Sequence, residues 1–194
     1  MSDVSPVFSF PPIARRDARL LILGSMPGVA SLQASEYYAH PHNAFWPIIA
    51  SLLGFDRALP YAQRVRHLLK ARVAVWDVLQ SCVRSGSGDA AIVPDSVIVN
   101  DFAGFFAAHP HIRHVYFNGS KAEQCFRKHV RLPDNGLQFT RLPSTSPAHA
   151  SLSFEKKQAK WKVIGDGGNG ATTKKDRRLT GGHCGVVKGV RCSR

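Results

Sequence analysis

Apolar residues follow two rhythms along this chain. Four short runs, at 20–25 (LLILGS), 73–79 (VAVWDVL), 114–118 (HVYFN) and 137–142 (LQFTRL), are dense in β-branched, leucine or aromatic residues and predict strands. Between them apolar positions recur every three or four residues, which predicts helices. NAFWPIIASLLG stops at Gly54, a C-cap residue, and YAQRVRHLLKAR gathers Val65, Leu68 and Leu69 on one face. SVIVNDFAGFFAAHP predicts a helix opened by Asp95 or Ser96 and closed before Pro110. SKAEQCFRKHV predicts one with Ser120 as its N-cap. SLSFEKKQAKWKVI predicts another opening at Ser151, with Leu152, Phe154, Ala159, Trp161 and Ile164 on its buried side.

Strands alternating with helices predict an α/β fold, a three-layer α/β/α sandwich around a short, mostly parallel, four-stranded sheet. Ligands of such sheets bind beyond the carboxyl ends of the strands. Those ends fall at 25–28, 80–89, 118–120 and 143–149. The rhythm stops after Ile164. Residues 165–194 hold eight of the 16 glycines and no aromatic residue, so the expected organisation is one domain over 1–164 and a disordered basic tail over 165–194.

Charge narrows the partner. Lys and Arg number 26 against 13 Asp and Glu, for a net +13, of which +8 lies in residues 1–164. An excess of this size in the body of a domain points to a polyanion, nucleic acid above all. No run approaches the roughly 20 apolar residues of a membrane span, and the first residues lack a secretion-signal pattern. The expectation is a cytoplasmic monomer with no membrane partner. Cys82, Cys125, Cys184 and Cys192 form no C-x-x-C pair, so Cys82 and Cys125 read as reduced thiols in or near the core. The triplets His40–His42 and His109–His111 have a stiff proline between the histidines and no carboxylate or cysteine spaced to complete a metal site. No metal and no cofactor are expected.

Four stretches carry candidate chemistry. GSMPG (Gly24, Ser25, Met26, Pro27, Gly28) follows the first long strand, where glycine lets backbone approach a ligand and exposed amides can meet a phosphate or base edge. Taken alone it reads as an ordinary turn. In EYYAHPHNAFW, Asn43 can donate and accept at once and so hold a water, while also capping the next helix. Tyr37, Tyr38, Phe45 and Trp46 offer flat faces, Trp46 belongs with the core, and His40 can donate or shuttle a proton. LPSTSPAHAS is a rigid hydroxyl-rich loop before a helix, suited to gripping a phosphodiester backbone. In YFNGSKA, Asn118 can read a base edge or simply occupy a tight turn.

In this order, GSMPG, YYAHPHNAFW, WDVL…RSGSGDAAI, VYFNGSKA and LPSTSPAHAS resemble the uracil-DNA glycosylase superfamily over residues 20–164, and within it the hypoxanthine (deoxyinosine) branch. The resemblance implies a monofunctional glycosylase that flips a deaminated base out of double-stranded DNA and hydrolyses its N-glycosidic bond. It implies Asn43 as the catalytic residue and a base pocket of Gly24, Ser25, Met26, Pro27, Gly28 and Asn118, with Phe45 either stacking on the base or buried in the core. His40 and Tyr38, read from the residues themselves, join the catalytic and pocket candidates. Ser144, Ser146, Pro147 and His149 would grip the DNA backbone. A uracil or G:T/U mismatch enzyme, and a catalytically silent nucleic-acid-binding module, are the alternatives. Two departures favour hypoxanthine over uracil: Met26 stands where uracil enzymes carry an activating Asp or Asn, and Leu142 where they carry a His. His149 stands where the branch carries Asn, and no cysteine precedes Cys82, as a cluster-bearing branch would need.

Overall fold

The computed structural model describes residues 5–133 and 136–165. A two-residue strand β1 (Val7–Phe8) precedes β2 (Leu20–Gly24), whose five residues are all buried. Three helices follow: α1 (Val29–Ala34), α2 (Phe45–Leu53) and α3 (Tyr61–Lys70). Next come β3 (Val73–Asp77), β4 (Leu79–Cys82), β5 (Ile98–Val99) and α4 (Phe102–Ala108). The described chain closes with β6 (His114–Asn118), α5 (Ser120–His129), β7 (Gln138–Leu142) and α6 (Phe154–Gly165).

The central sheet has the order β3-β2-β6-β7 with every pair parallel. Register explains the layers. Leu23 sits opposite both Trp76 and Phe117, so these three share one face of the sheet. There Trp76 lies 5.2 and 4.8 Å from Phe102 and Phe105 of α4, and Phe117 lies 5.3 Å from Phe126 of α5. A second aromatic cluster joins α2, α3 and α6: Phe45 meets Trp161 at 6.0 Å and Trp46 meets Tyr61 at 5.7 Å. Edge-to-face pairs of this kind add about 0.5–1.5 kcal/mol each beyond the area they bury. The three-layer α/β/α expectation holds, and the four strands of the central sheet are those the apolar runs predict.

The differences are local. The run 73–79 is not one strand: β3 ends at Asp77, and β4 leaves for a separate antiparallel sheet of order β1-β4-β5. That sheet claims Ile98 and Val99, so the helix expected from Asp95 or Ser96 begins only at Phe102. Its N-cap is Asp101, whose carboxylate accepts from Gly104 N–H at 2.9 Å. Gly119, not Ser120, caps α5. The last helix starts at Phe154 rather than Ser151, with the Ser153 hydroxyl accepting from Lys156 N–H at 3.4 Å. Helix α1, strand β1 and all of β4 beyond Leu79 lie outside the elements read from the sequence, and β5 stands where a helix is expected. Apart from Gly165, the predicted tail lies outside the described residues. Cys82 and Cys125 are free and buried. Among the described residues, no helix is long and apolar enough to cross a membrane.

Candidate active site

A cavity of about 410 Å³ opens at the carboxyl end of the central sheet, within the usual range of small-molecule sites, roughly 300–1,000 Å³. Gly24 to Gly28 line it from the end of β2, and Tyr37, Tyr38, His40 and Asn43 line it from the segment before α2. Asp77 contributes from the end of β3, Ser87 to Asp89 from the loop after β4, and Asn118 to Lys121 from the end of β6. Ser144 to His149 close the rim. Every residue the sequence nominates therefore meets at one place, with the exception of Phe45. That ring is fully buried and lies behind Tyr38, stacked on it at 3.9 Å between centroids, so it backs the cavity wall and does not line it.

The floor is built by two strand ends. Gly24 and Asp77 are paired in register, and period-two alternation turns Asp77 away from the Trp76 face. A Cβ on Gly24 would collide with Asp77 Oδ1 and come within 3.1 Å of the Tyr38 hydroxyl. Glycine is required at this position for close approach. Tyr38 itself has a left-handed backbone (φ 57°), an uncommon conformation for a bulky residue, held by its contacts on both sides. The Asp77 side chain is 3% exposed, and its Oδ2 has no hydrogen-bond partner. Burial foremost, then the charge of Asp89, pushes its pKa up to about 7, against the pull of the Arg84 guanidinium. Burial, followed by the charge of Asp77, also raises Tyr38 well above the ordinary tyrosine range.

The segment 84–89 holds the GSMPG turn in shape. Ser25 donates its hydroxyl to Asp89 at 2.8 Å, Val29 N–H donates to the Ser87 hydroxyl at 2.8 Å, and Arg84 donates to the Pro27 carbonyl. Arg84 is almost wholly buried there.

Asn43 does two things at once. Its Oδ1 accepts from Phe45 N–H at 3.0 Å at the opening of α2, which fixes the carboxamide plane and leaves the amide hydrogens and a lone pair over. The neighbouring Ala44 N–H donates to the Thr145 carbonyl at 3.0 Å, tying the Asn43 segment to the rim. Asn118 is anchored to the same residue: its amide donates to Thr145 Oγ1 at 2.8 Å, and its Oδ1 accepts from Thr145 N–H at 2.8 Å. One N–H and one lone pair of Asn118 remain for a ligand. Behind it, Gly119 takes φ +98°, and a Cβ there would lie 2.9 Å from Ser144.

The rim is internally bonded. The Ser144 hydroxyl accepts from Ser146 N–H at 3.2 Å, and the Ser146 hydroxyl accepts from Ala148 N–H at 3.3 Å. The buried Lys157 donates to the His149 carbonyl at 2.7 Å, and Trp161 donates its indole N–H to the Pro143 carbonyl at 3.0 Å. Pro147 and Ala148 stand exposed at the tip. The His149 ring lies 3.3 Å from the Ser151 hydroxyl.

His40 and His42 lie 5.6 Å apart, ring to ring, and His42 N–H donates to His40 Nδ1 at 3.1 Å. Among the described residues, no group of three or more His, Cys, Asp or Glu is placed to hold a metal ion. Sequence reasoning missed Asp77, Thr145 and the Arg84–Ser87–Asp89 brace. The signal for Asp77 was its place at the end of an apolar strand, the one charged residue in VAVWDVL.

Comparison with known proteins follows the same residues. The family model described as "Uracil DNA glycosylase superfamily" matches residues 11–166. A "Hypoxanthine DNA glycosylase" of Methanosarcina acetivorans is 30% identical over 156 residues, covering 80% of this chain and 95% of that protein. One of the same description from Methanosarcina barkeri is 34% identical over 114 residues, covering 58% of this chain and 71% of that protein. The solution NMR structure of a protein proposed to be a uracil DNA glycosylase, from Methanosarcina acetivorans, aligns with a TM-score of 0.69 at 29% identity. That alignment covers 83% of this chain and 97% of the other.

Proposed function

We propose a function from one premise: this chain belongs to the uracil DNA glycosylase superfamily. It acts on double-stranded DNA, as a monomer and without a cofactor, by flipping a deaminated nucleotide into the cavity and hydrolysing its N-glycosidic bond. The base is hypoxanthine. Supporting that choice are the two similar proteins described as hypoxanthine DNA glycosylases, and Met26 and Leu142, which put apolar groups where a uracil anion needs stabilising.

The observation that carries the reading is the convergence of Asn43, the Gly24–Gly28 turn and the Ser144–His149 rim on one cavity. In the proposed step Asn43 holds the attacking water through the amide hydrogens and lone pair that Phe45 N–H leaves over, with His40 beside it. Tyr38, backed by Phe45, gives the flipped base a flat wall. The free donor and lone pair of Asn118 reach its edge. The rim hydroxyls, exposed Pro147 and His149 take the phosphates on either side, and the net +8 of residues 1–164 supplies the long-range attraction to DNA. The protein works in the cytoplasm on this reading, and its purpose is base-excision repair.

The test is a panel of labelled duplexes, each with a single hypoxanthine, xanthine, uracil or mismatched thymine, scored by alkaline cleavage at the abasic product. Release from the deoxyinosine duplex at the highest rate is expected. Faster release of uracil or mismatched thymine would assign the site to a uracil or mismatch enzyme, and binding without release from any duplex would leave a silent DNA-binding module.

A further inference from the structure

The mechanism above leaves one buried carboxyl of the cavity without a task. Asp77 lines the cavity beside Gly24, its side chain is 3% exposed, and its Oδ2 has no partner. A buried polar atom left unpartnered costs about 1–3 kcal/mol, more when charged, so its retention at the floor of a cavity calls for a ligand or a reaction. Arg84, whose Nε and Nη1 are also buried without a partner, pulls the Asp77 pKa down by its charge but forms no ion pair with it. Arg84 donates to the Pro27 carbonyl, and among the described residues no ion pair includes Asp77. The other carboxylate of the cavity, Asp89, accepts from Ser25. Gly24 leaves room for the Asp77 carboxyl alone, because a methyl group there would strike it.

We propose that Asp77 is the general acid that delivers a proton to the departing base. This inference rests on the glycosylase reading above. The C1′–N9 bond breaks with its electron pair passing to the purine, and the Asp77 carboxyl proton moves to a ring nitrogen of that purine, which leaves neutral. Water held by Asn43 adds through oxygen to C1′ and loses its surplus proton to solvent. Asp77, now a carboxylate, takes a proton back from solvent before the next turnover. Met26 gives the floor an apolar group, and the other carboxyl of the cavity, Asp89, accepts from Ser25, so Asp77 is the carboxyl left to neutralise the leaving base.

The protonation state fits. Burial and the neighbouring Asp89 hold the Asp77 pKa near 7, so a proton is available at neutral pH. The groups that face it are Tyr37 and Tyr38 before α2, Arg84 and Asp89 after β4, Lys121 at the start of α5, and His40 and His149 across the cavity.

The experiment is single-turnover cleavage by the full-length chain and by Asp77→Asn between pH 5.5 and 9. It uses the deaminated base that the wild-type protein releases fastest, so a wrong substrate shows in the panel and a wrong role for Asp77 shows in the ratio. Wild-type cleavage should be highest below pH 7 and fall toward tenfold per unit above it. Asp77→Asn should lose at least about a hundredfold at pH 6, lose that alkaline limb, and still bind the duplex, as removal of a general acid does. A thermal melt of the variant verifies folding, and the wild-type profile stands independently of it. An unchanged limb in Asp77→Asn, a loss of less than about threefold, or wild-type activity that rises through pH 7, as a carboxylate acceptor would require, would each overturn the proposal.

Discussion

The two walls of the cavity are built on opposite principles. At the rim, Ser144, Thr145, Ser146 and His149 are bonded to one another, to Asn118, to Lys157 or to Ser151, and Trp161 holds the Pro143 carbonyl. At the floor, Asp77 Oδ2 and the Tyr38 hydroxyl are buried without a partner, and behind the lining two atoms of Arg84, Nε and Nη1, are unpartnered as well. A wall whose polar groups satisfy one another is a rigid frame, ready to meet a phosphodiester backbone without reorganising. A wall that keeps polar capacity buried and open is less stable than it could be. On the proposed function, that deficit is what a reacting site accepts in exchange for chemistry, with the reaction at the floor and the grip at the rim.

The contrast can be broken in order of expected effect. Asn43→Ala removes the proposed water-holding group, and single-turnover cleavage should fall by about a hundredfold or more while duplex binding stays within a fewfold. A near-normal rate in a quench assay would remove Asn43 from the mechanism. Gly24→Ala drives a methyl group into Asp77, so a loss of roughly 1–3 kcal/mol in denaturant unfolding is expected, together with most activity. Wild-type stability with full activity would mean that the floor yields easily.

Asp77→Asn should separate activity from stability. The folded pKa of Asp77, about 7, lies above its ordinary 3.8, so the folded state binds the proton more tightly. The group's contribution is fully present below the unfolded value and is lost as pH rises through 7. The variant, neutral throughout, should gain up to roughly 4 kcal/mol over the wild type at pH 8 and little at pH 4, read from urea melts at both pH values. Equal gains at the two values would show that Asp77 is not protonated in the folded protein.

Thr145→Val, at the rim, removes the hydroxyl that accepts from Asn118 but keeps the backbone bond to Asn118 Oδ1. About 1 kcal/mol of stability should go, with weaker DNA binding and a largely preserved rate for bound substrate. A loss confined to the chemical step would move the rim into the reaction.

Much of the fold was legible because buried parallel strands need nearly continuous apolar runs, and 20–24, 73–77 and 114–118 have them. Strands β1, β4 and β5 were not legible. They are two to four residues long, and each is a strand only because another segment pairs with it. The site divides the same way. Asn43, the GSMPG turn and LPSTSPAHAS announce themselves by composition. Asp77 does not, because one carboxylate at the end of VAVWDVL looks like an ordinary strand terminus.

The sequence by itself determined the strand and helix succession, the basic surface, and which polar loops would follow the strands, since all three depend on neighbours along the chain. Only the tertiary structure decided that Phe45 stands behind Tyr38, that Asn118 is clasped by Thr145, and that Asp77 is buried against Gly24. Burial and register are set by residues dozens of positions away, and a carboxyl's proton affinity depends on what surrounds it in space.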